Sequence, residues 1–409
     1  MSENTHLPYC IECGEARIDH GYAKRNDIIS LLVGACFARP TEGIRSYIVN
    51  FIERIPYEKT ISRLFIALSK RGIGEVTYKL DDRDSLRTKV LWDAGGRLGV
   101  KLFTYRVTKD MPDGITVASC GDEVIVYQDV PRPKGWISPS IEWMDDKSIL
   151  KRKLLQAGIS TARGGIAFTE RGALSLFTAL SAPVIIKPRL GTRGRHTTLS
   201  LTTREDVLRA FRIGKEIAAG LVIEEELKGD LYRVTLVGGE PVAVARRDFP
   251  HVIGDGLSTI QTLIDVTNKD KRRDGFSFYP ILDNERMDYQ LSLQKLTKDS
   301  IPEKGRVVIL NDKVSRLHGT TIADVTDAVH PDCMDLFRKI GAFLGDAIVG
   351  VDFIIEDITK SHVGQSRYGV VECNAMPYID LHHYPFEGKP RPVAEDLWKL
   401  CFPKLKNKS

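Results

Sequence analysis

Between residues 184 and 201 the chain changes character twice. Val184-Ile-Ile186 is a short apolar run of the kind that fills a buried strand. Lys187 ends it and Pro188 prevents its regular continuation. Gly191 and Gly194 then bracket a tight loop that carries Arg189, Arg193 and Arg195, before His196 and a second run, Thr197–Leu201. Glycines let backbone N–H groups approach a polyanion, and cations neutralise its charge. The stretch predicts a strand–flap–strand unit closing over nucleotide phosphates. A basic surface hairpin would use the same residues, so the reading needs support from elsewhere in the chain.

That support is a set of polar residues inside apolar strands. Ile348–Ile355 is a strongly apolar run with one acid, Asp352. In Tyr368–Asn374, side-chain alternation sends Glu372 and Asn374 to one face and Val371 and Cys373 to the other. A lone carboxylate is costly to bury. Hard oxygen ligands at such positions suit Mg²⁺, with Mn²⁺ as a substitute, and an acid paired with an arginine is the alternative. Leu221–Leu227 reads as a strand that turns acidic at Glu224, Glu225 and Glu226, and Gly229 breaks it. The runs Tyr232–Val237 and Pro241–Arg246 flank Gly238-Gly239, a two-residue hairpin signal. Arg233, Arg246 and Arg247 cluster on that hairpin.

The elements that must position these groups are helices and strands of an α/β (α+β) chain. Asp145 or Asp146 can cap a helix over 143–158, on which Lys147 and Lys151 share a face; a solvated basic face is the commoner explanation of that spacing. Arg204–Ala219 and Pro331–Leu344 read as amphipathic helices. In the first third, Ile61–Lys70 fits a helix, and 76–80, 100–105 and 123–127 read as strands without a chemical constellation. Asp129–Gly135, with two prolines and a glycine, reads as a linker. The division is a segment 1–25, an N-terminal α/β domain 26–140, a lid subdomain 141–228 and a C-terminal catalytic subdomain 229–404. Segment 1–25 contains Cys10-Ile-Glu-Cys13 between His6 and His20. These four could form a zinc knuckle, but no second paired motif follows, and reduced surface thiols remain the alternative.

The whole chain has 409 residues, a net charge of +5 and seven cysteines, too few for a disulfide framework at this length. No apolar run approaches a membrane span and the N-terminus lacks signal-peptide features, so a cytoplasmic location and no membrane partner are expected. No long Lys/Arg block occurs and aromatic residues are not interleaved with the basic clusters, which argues against nucleic acid.

Taken as an ordered set, these segments resemble the ATP-grasp ligases, in particular the ATP-grasp regions of cyanophycin synthetase and of bifunctional glutathione synthetase. The resemblance runs from about residue 140 to 395. It is carried by Asp146-Lys147, Lys187-Pro…Gly191-Thr-Arg-Gly194-Arg195, Val222-Ile-Glu224…Gly229-Asp-Leu-Tyr-Arg233, His251–Gly256 with Thr259, and Gly350-Val-Asp352…Glu372-Cys-Asn374-Ala-Met-Pro377. It implies an ATP-grasp fold, two α+β subdomains gripping ATP. Lys147 and Lys187 would hold phosphates, under a flap containing Arg193 and Gly194. Glu224 would accept from the adenine amino group, with backbone contacts from Glu225 and Leu227. Leu231 stands where a ribose-binding acid is common, and Asp230 is its candidate replacement. Asp352, Glu372 and Asn374 would hold the metal. Arg233 would contact substrate or acyl phosphate, and Lys187 and Arg195 would neutralise the transferred phosphoryl group. His196-Thr197 departs from the Gly-Val that often ends the family's flap.

The implied activity is carboxylate–amine ligation through an acyl phosphate, with ADP and phosphate released. The donor would be an amino acid or short acidic peptide, on the strength of the Arg233/Arg246/Arg247 cluster. Partners would be small molecules, with a homo-oligomer open. Cyanophycin polymerisation is not expected, because the sequence ends at Ser409 without a Mur-ligase-like domain. The alternatives are ligation onto a peptide or protein terminus, separable by which acceptor stimulates turnover, and a non-catalytic ATP-binding regulatory module, separable by binding without ADP formation.

Overall fold

A computed structural model of the protein describes residues 10, 12–13, 18–37, 57–108, 110–141, 143–191 and 194–408. His6 and Arg193 lie outside the described residues. Among the described residues no helix is long and apolar enough to cross a membrane.

The first third contains helices α1 (His20–Phe37) and α2 (Tyr57–Lys70), strand β1 (Glu75–Thr77), helix α3 (Leu86–Arg97) and strands β2 (Lys101–Arg106), β3 (Ile115–Cys120) and β4 (Glu123–Tyr127). The four strands form one antiparallel sheet in the order β1-β2-β3-β4. Ser85 caps α3 by accepting from the Thr88 N–H. This unit does not have a core to itself. Val90, Leu91, Ala94, Val100 and Tyr127 pack with Val237, Ile348, Leu397 and Trp398 of the last third. The linker 129–135 is also fastened: Arg132 donates to both oxygens of Asp346, at 2.8 and 3.0 Å, and to the Ala375 carbonyl at 2.6 Å.

The middle of the chain forms helix α4 (Lys147–Gln156), strand β5 (Gly164–Ala167), helix α5 (Glu170–Ala179), strands β6 (Val184–Pro188) and β7 (Thr198–Leu201), helix α6 (Arg204–Gly214) and strand β8 (Leu221–Glu225). Strand order is β5-β8-β6-β7, antiparallel throughout. The flap is the β6–β7 connection. Helices α5 and α6 cover one face with Ala173, Val207, Ala210 and Phe211 against Val184, Ile186 and Leu221. Helix α4 behaves differently from its neighbours in sequence. Its Leu150 and Leu154, with Met144 and Ile159, pack in the core of the next sheet rather than this one. Helix α4, inside the expected segment 141–228, thus packs with the central sheet.

The last third contains β9 (Asp230–Val237), β10 (Glu240–Asp248), β11 (His251–Ile253), α7 (Ile260–Asn268), α8 (Glu285–Leu293), β12 (Val307–Ile309), β13 (Thr321–Asp324), α9 (Pro331–Leu344), β14 (Ile348–Ile355), β15 (Gly369–Asn374), α10 (Asp380–His383) and α11 (Val393–Cys401). Five strands make the central sheet, β13-β10-β9-β14-β15, and β11 pairs with β12 as a separate hairpin. Gly238 and Gly239 have φ of 61° and 87°, the two positive values that a tight β9–β10 turn requires. One face of the sheet packs on α4 and α9, through Leu150, Leu154, Phe337 and Ile340. Val237, Ala243 and Ile348 pack instead against α11 and the N-terminal unit.

Trp398 is fully buried at that junction, and its indole N–H donates to the Leu91 carbonyl at 2.8 Å. Trp398→Ala should cost about 3–5 kcal/mol. Denaturant unfolding followed by near-ultraviolet circular dichroism should show β1–β4 and the central sheet losing stability together, in one lowered transition.

Candidate active site

The site is a cavity of about 2390 Å³ between the lid sheet and the central sheet. Typical small-ligand pockets hold about 300–1,000 Å³, so this one can accommodate more than one reactant. Lys147, Lys187, Gly191, Gly194, Arg195, Glu224, Leu227, Asp230, Arg233, Asp352, Glu372 and Asn374 all line it. The flap and the strand-borne polar residues, far apart in sequence, thus share one cleft.

On the lid wall, Lys187 on β6 and Glu224 on β8 come from adjacent strands in antiparallel register. Glu224 is buried, and both its oxygens are engaged: Oε1 lies 2.5 Å from Lys187 Nζ and Oε2 lies 2.7 Å from Lys151 Nζ. Burial pushes the Glu224 carboxyl up, but Lys187 and Lys151 outweigh it and hold it below the ordinary carboxylate range. A carboxylate has about four lone-pair sites, so a further donor can be added to this pair of bonds. Strand alternation sends Glu224 and Glu226 into the cleft and Glu225 away from it. The Glu225 carboxylate accepts from the Ser181 N–H at 2.9 Å and pairs with Arg163, and its backbone N–H donates to the Arg163 carbonyl. A nucleotide contact from Glu225 is therefore not available through its side chain or its N–H.

Lys151 corrects the solvated-face reading of α4. Its neighbours in the helix bury Leu150 and Leu154, and this turns the Lys151 ammonium inward onto Glu224 and the Ala162 carbonyl. Lys147, one turn earlier, spans the cleft: Nζ donates to the Gly191 carbonyl of the flap at 2.6 Å and lies 3.6 Å from Glu372 Oε2.

Arg189 is not one of the flap's exposed cations. It is buried between two acids, Asp146 and Asp27, donating to Asp27 Oδ1 at 2.7 Å. Asp146 also caps α4 by accepting from the Ser148 and Ile149 N–H groups. Asp27 Oδ2 accepts from the Ala219 N–H at 2.7 Å. Sequence reasoning missed Asp27, an acid on a helix of the first third with no local motif around it. Its neighbours Lys24, Arg25 and Asn26 are equally polar, so nothing local set it apart.

On the opposite wall, β14 and β15 pair with Asp352 directly across from Glu372. The Asn374 amide lies 3.4 Å from Glu372 Oε1, on the same face, as alternation requires. Asp352 is paired with arginine. Arg233, across from it on β9, donates from Nε at 2.5 Å and Nη2 at 3.1 Å, and Arg247 Nη1 lies 3.3 Å from Oδ2. Burial raises the Asp352 carboxyl, and the two guanidinium groups outweigh that and hold it below its usual range. Arg233 is thus spent largely on Asp352, which Arg247 shares, and Arg246 on Asp248 at 2.8 Å, so two carboxylates offset most of the charge of the hairpin's three arginines. Asp145, also on the cleft, is raised by burial in spite of the nearby Lys147. Behind this wall, His382 Nε2 lies 2.7 Å from the Thr235 hydroxyl; burial, reinforced by Arg233, keeps the imidazole neutral.

No protein-family model matches the chain. Over 271 residues it is 32% identical to cyanophycin synthetase of Crocosphaera subtropica, a match covering 64% of this chain and 31% of that protein. Over 390 residues it is 31% identical to the bifunctional glutathione biosynthesis protein GshAB of Mannheimia succiniciproducens, covering 91% of this chain and 50% of that one. The chain therefore spans about a third to a half of the length of these relatives. A crystal structure of a bifunctional glutathione synthetase from Pasteurella multocida superposes with a TM-score of 0.56 at 26% identity, covering 78% of this chain and 43% of that one.

The Glu224 node is testable. Lys151→Met leaves one buried oxygen of Glu224 without its donor and should cost about 1–3 kcal/mol, read from the denaturant midpoint. In a double-mutant cycle with Glu224→Gln, the two losses should be non-additive by about 0.5–3 kcal/mol. Glu224 and Asp352 both have folded pKa values below their unfolded values of about 4. Their contribution is present above that range and is lost as pH falls through the folded values. Stability should therefore decline below about pH 5, and less steeply in Glu224→Gln.

With the cleft, the strand-borne acids and the matched segments together, the chain belongs with the ATP-grasp ligases, as a relative of the regions it shares with cyanophycin synthetase and bifunctional glutathione synthetase.

Proposed function

We propose that the protein is an ATP-dependent carboxylate–amine ligase. The observation that carries this reading is the single cleft between Lys187, Arg195 and the flap glycines on one side and Asp352, Glu372 and Asn374 on the other. In the reaction a donor carboxylate oxygen attacks the γ-phosphorus of ATP. The bond to the β–γ bridging oxygen breaks and ADP leaves. An amine nitrogen then attacks the acyl-phosphate carbonyl, the C–O bond to phosphate breaks, and the nitrogen loses a proton to give the amide.

Phosphoryl transfer asks for positioning and charge neutralisation more than covalent chemistry from protein. Lys147, at the start of α4, and Lys187, on the lid sheet, face the cleft and would hold the phosphates, and Arg195 would neutralise charge developing on the transferred group. Leu227 offers backbone contacts, and Asp230 a carboxylate, at the nucleotide end. Glu224 keeps Lys187 in place and would accept from an adenine amino group. Closing the flap would exclude water from the acyl phosphate.

Asp352, Glu372 and Asn374 are an all-oxygen donor set on one wall, and that chemistry fits Mg²⁺ or Mn²⁺. Glu372 and Asn374 are the more accessible ligands, since Asp352 would share its oxygens with Arg233 and Arg247. Bound there, the ion would neutralise the phosphate oxygens. Arg233 would act on substrate through Asp352 as well as directly.

The donor is an amino acid or a short peptide. An acidic one remains our choice, although it would meet arginines that already face carboxylates. The large cavity also suits ligation onto a peptide terminus. Incubation with MgATP and paired acids and amines should release ADP and phosphate only when both are present. AMP and pyrophosphate would overturn the mechanism, and nucleotide binding without turnover under any pairing would favour a regulatory module. Glu372→Gln should lower turnover about a hundredfold with an unchanged unfolding midpoint. Comparing acidic with neutral donors, and free amino acids with peptides, decides the substrate class.

A further inference from the structure

The Cys10-Ile-Glu-Cys13 segment finds its partners in the fold, and one of them lies far away in the chain. The ligand atoms of Cys10, Cys13, His20 and His196 all lie within 4.8 Å of one another. His196 Nε2 is 3.3 Å from Cys13 Sγ and 3.6 Å from Cys10 Sγ, and His20 Nε2 is 3.3 Å from Cys13 Sγ. The imidazole rings meet edge to face, 83° apart, with centroids at 4.9 Å. A tetrahedral zinc ion with Zn–S of about 2.3 Å and Zn–N of about 2.0 Å separates its ligand atoms by about 3.3–3.8 Å. The three sulfur–nitrogen distances fall in that range.

The surroundings are built for a metal. The Cys13 N–H donates to the Cys10 carbonyl at 3.1 Å, closing the turn that points both sulfurs the same way. His196 is fully buried, and its Nδ1 lies 2.8 Å from the Ile213 carbonyl. A carbonyl only accepts, so Nδ1 carries the proton and Nε2 presents its lone pair to the sulfurs. Glu216 Oε2 stands 3.6 Å from His20 Nδ1 and 3.7 Å from His196 Nδ1, placing a carboxylate beside both imidazoles. His196 also has φ of 48°, in the left-handed region where few non-glycine residues sit unless held. Two sulfurs and two nitrogens without an oxygen donor select zinc over magnesium or calcium.

We infer that Cys10, Cys13, His20 and His196 form a structural zinc site that fastens the N-terminal segment to the flap. Three separate pieces meet there: the turn at residues 10–13, the first residue of α1, and the end of the flap before β7. Neighbouring contacts run the same way. Glu12 accepts from Arg286 at 2.9 Å, and Lys313 donates to the Thr197 carbonyl at 3.0 Å. The ion anchors one end of the flap at His196, and Gly191 and Gly194 remain free to bend. Binding converts both thiols to thiolates and releases their protons. The site is independent of the cleft's chemistry and would stand if the cleft bound something other than ATP.

The test is metal content of the full-length protein, purified under reducing conditions without chelator. Plasma mass spectrometry should give about one zinc per chain. Cys13→Ser and His196→Ala should lose it, and His6→Ala should keep it. Cobalt(II) reconstitution should give the intense visible bands of a tetrahedral thiolate site, altered in His196→Ala. Stripping zinc with a strong chelator should lower the melting temperature and speed proteolysis at the flap, and zinc should restore both. The inference is overturned if zinc is absent after purification and after reconstitution. It is also overturned if zinc persists in Cys13→Ser, if His6→Ala removes zinc while His196→Ala retains it, or if intact mass shows a Cys10–Cys13 disulfide in the folded protein. If the ligand variants fail to fold, wild-type zinc content and the cobalt spectrum decide the matter alone.

Discussion

The lid and the body of this protein are joined at a buried carboxylate. Glu224 sits on the lid sheet, Lys187 on the adjacent lid strand, and Lys151 on a helix whose apolar side belongs to the core of the body. Removing one ammonium leaves a buried carboxylate oxygen without its donor, so both lysines are needed to satisfy the group. The constraint fixes Lys187 in the cleft and fixes the angle at which the lid sheet meets α4. A lid held through a charged node rather than a continuous apolar interface can keep its register and still move at the flap.

The opposite wall follows the same rule with other residue types. Asp352 lies inside a strand and is satisfied by Arg233 across the sheet and by Arg247 one strand further on. Arginine suits this position, because its planar fork can hold both carboxylate oxygens. Glu372 and Asn374, at the sheet edge, are less committed and face the cleft. The two walls differ in a useful way: the lid's acid holds a lysine on each oxygen, and Glu372 and Asn374 of the body are less committed.

The first third of the chain is tied into both walls. Its sheet and helix α3 share a core with α11 and the central sheet, and Arg132 clamps the linker to Asp346. From α1, Asp27 reaches Arg189 at the base of the flap and the backbone at Ala219. Arg189 is therefore a structural cation, and the charge that the flap can offer a ligand is smaller than its arginine count suggests.

Much of this was written locally in the sequence. The alternation that puts Glu372 beside Asn374, the paired glycines of the β9–β10 turn and the apolar run before Lys187 depend on spacings of one to four residues, and the folded chain keeps them. Tertiary structure decided which charges find each other. Lys151 looked solvated because its partner lies on another sheet, and Arg189 looked like a phosphate ligand because Asp27 is 162 positions away. His196 looked like a departure in the flap because Cys13 is 183 positions away. Periodicity and turn chemistry act between neighbours, so one sequence can reveal them. Ion pairing is set by the register in which distant elements pack, and no local pattern records it.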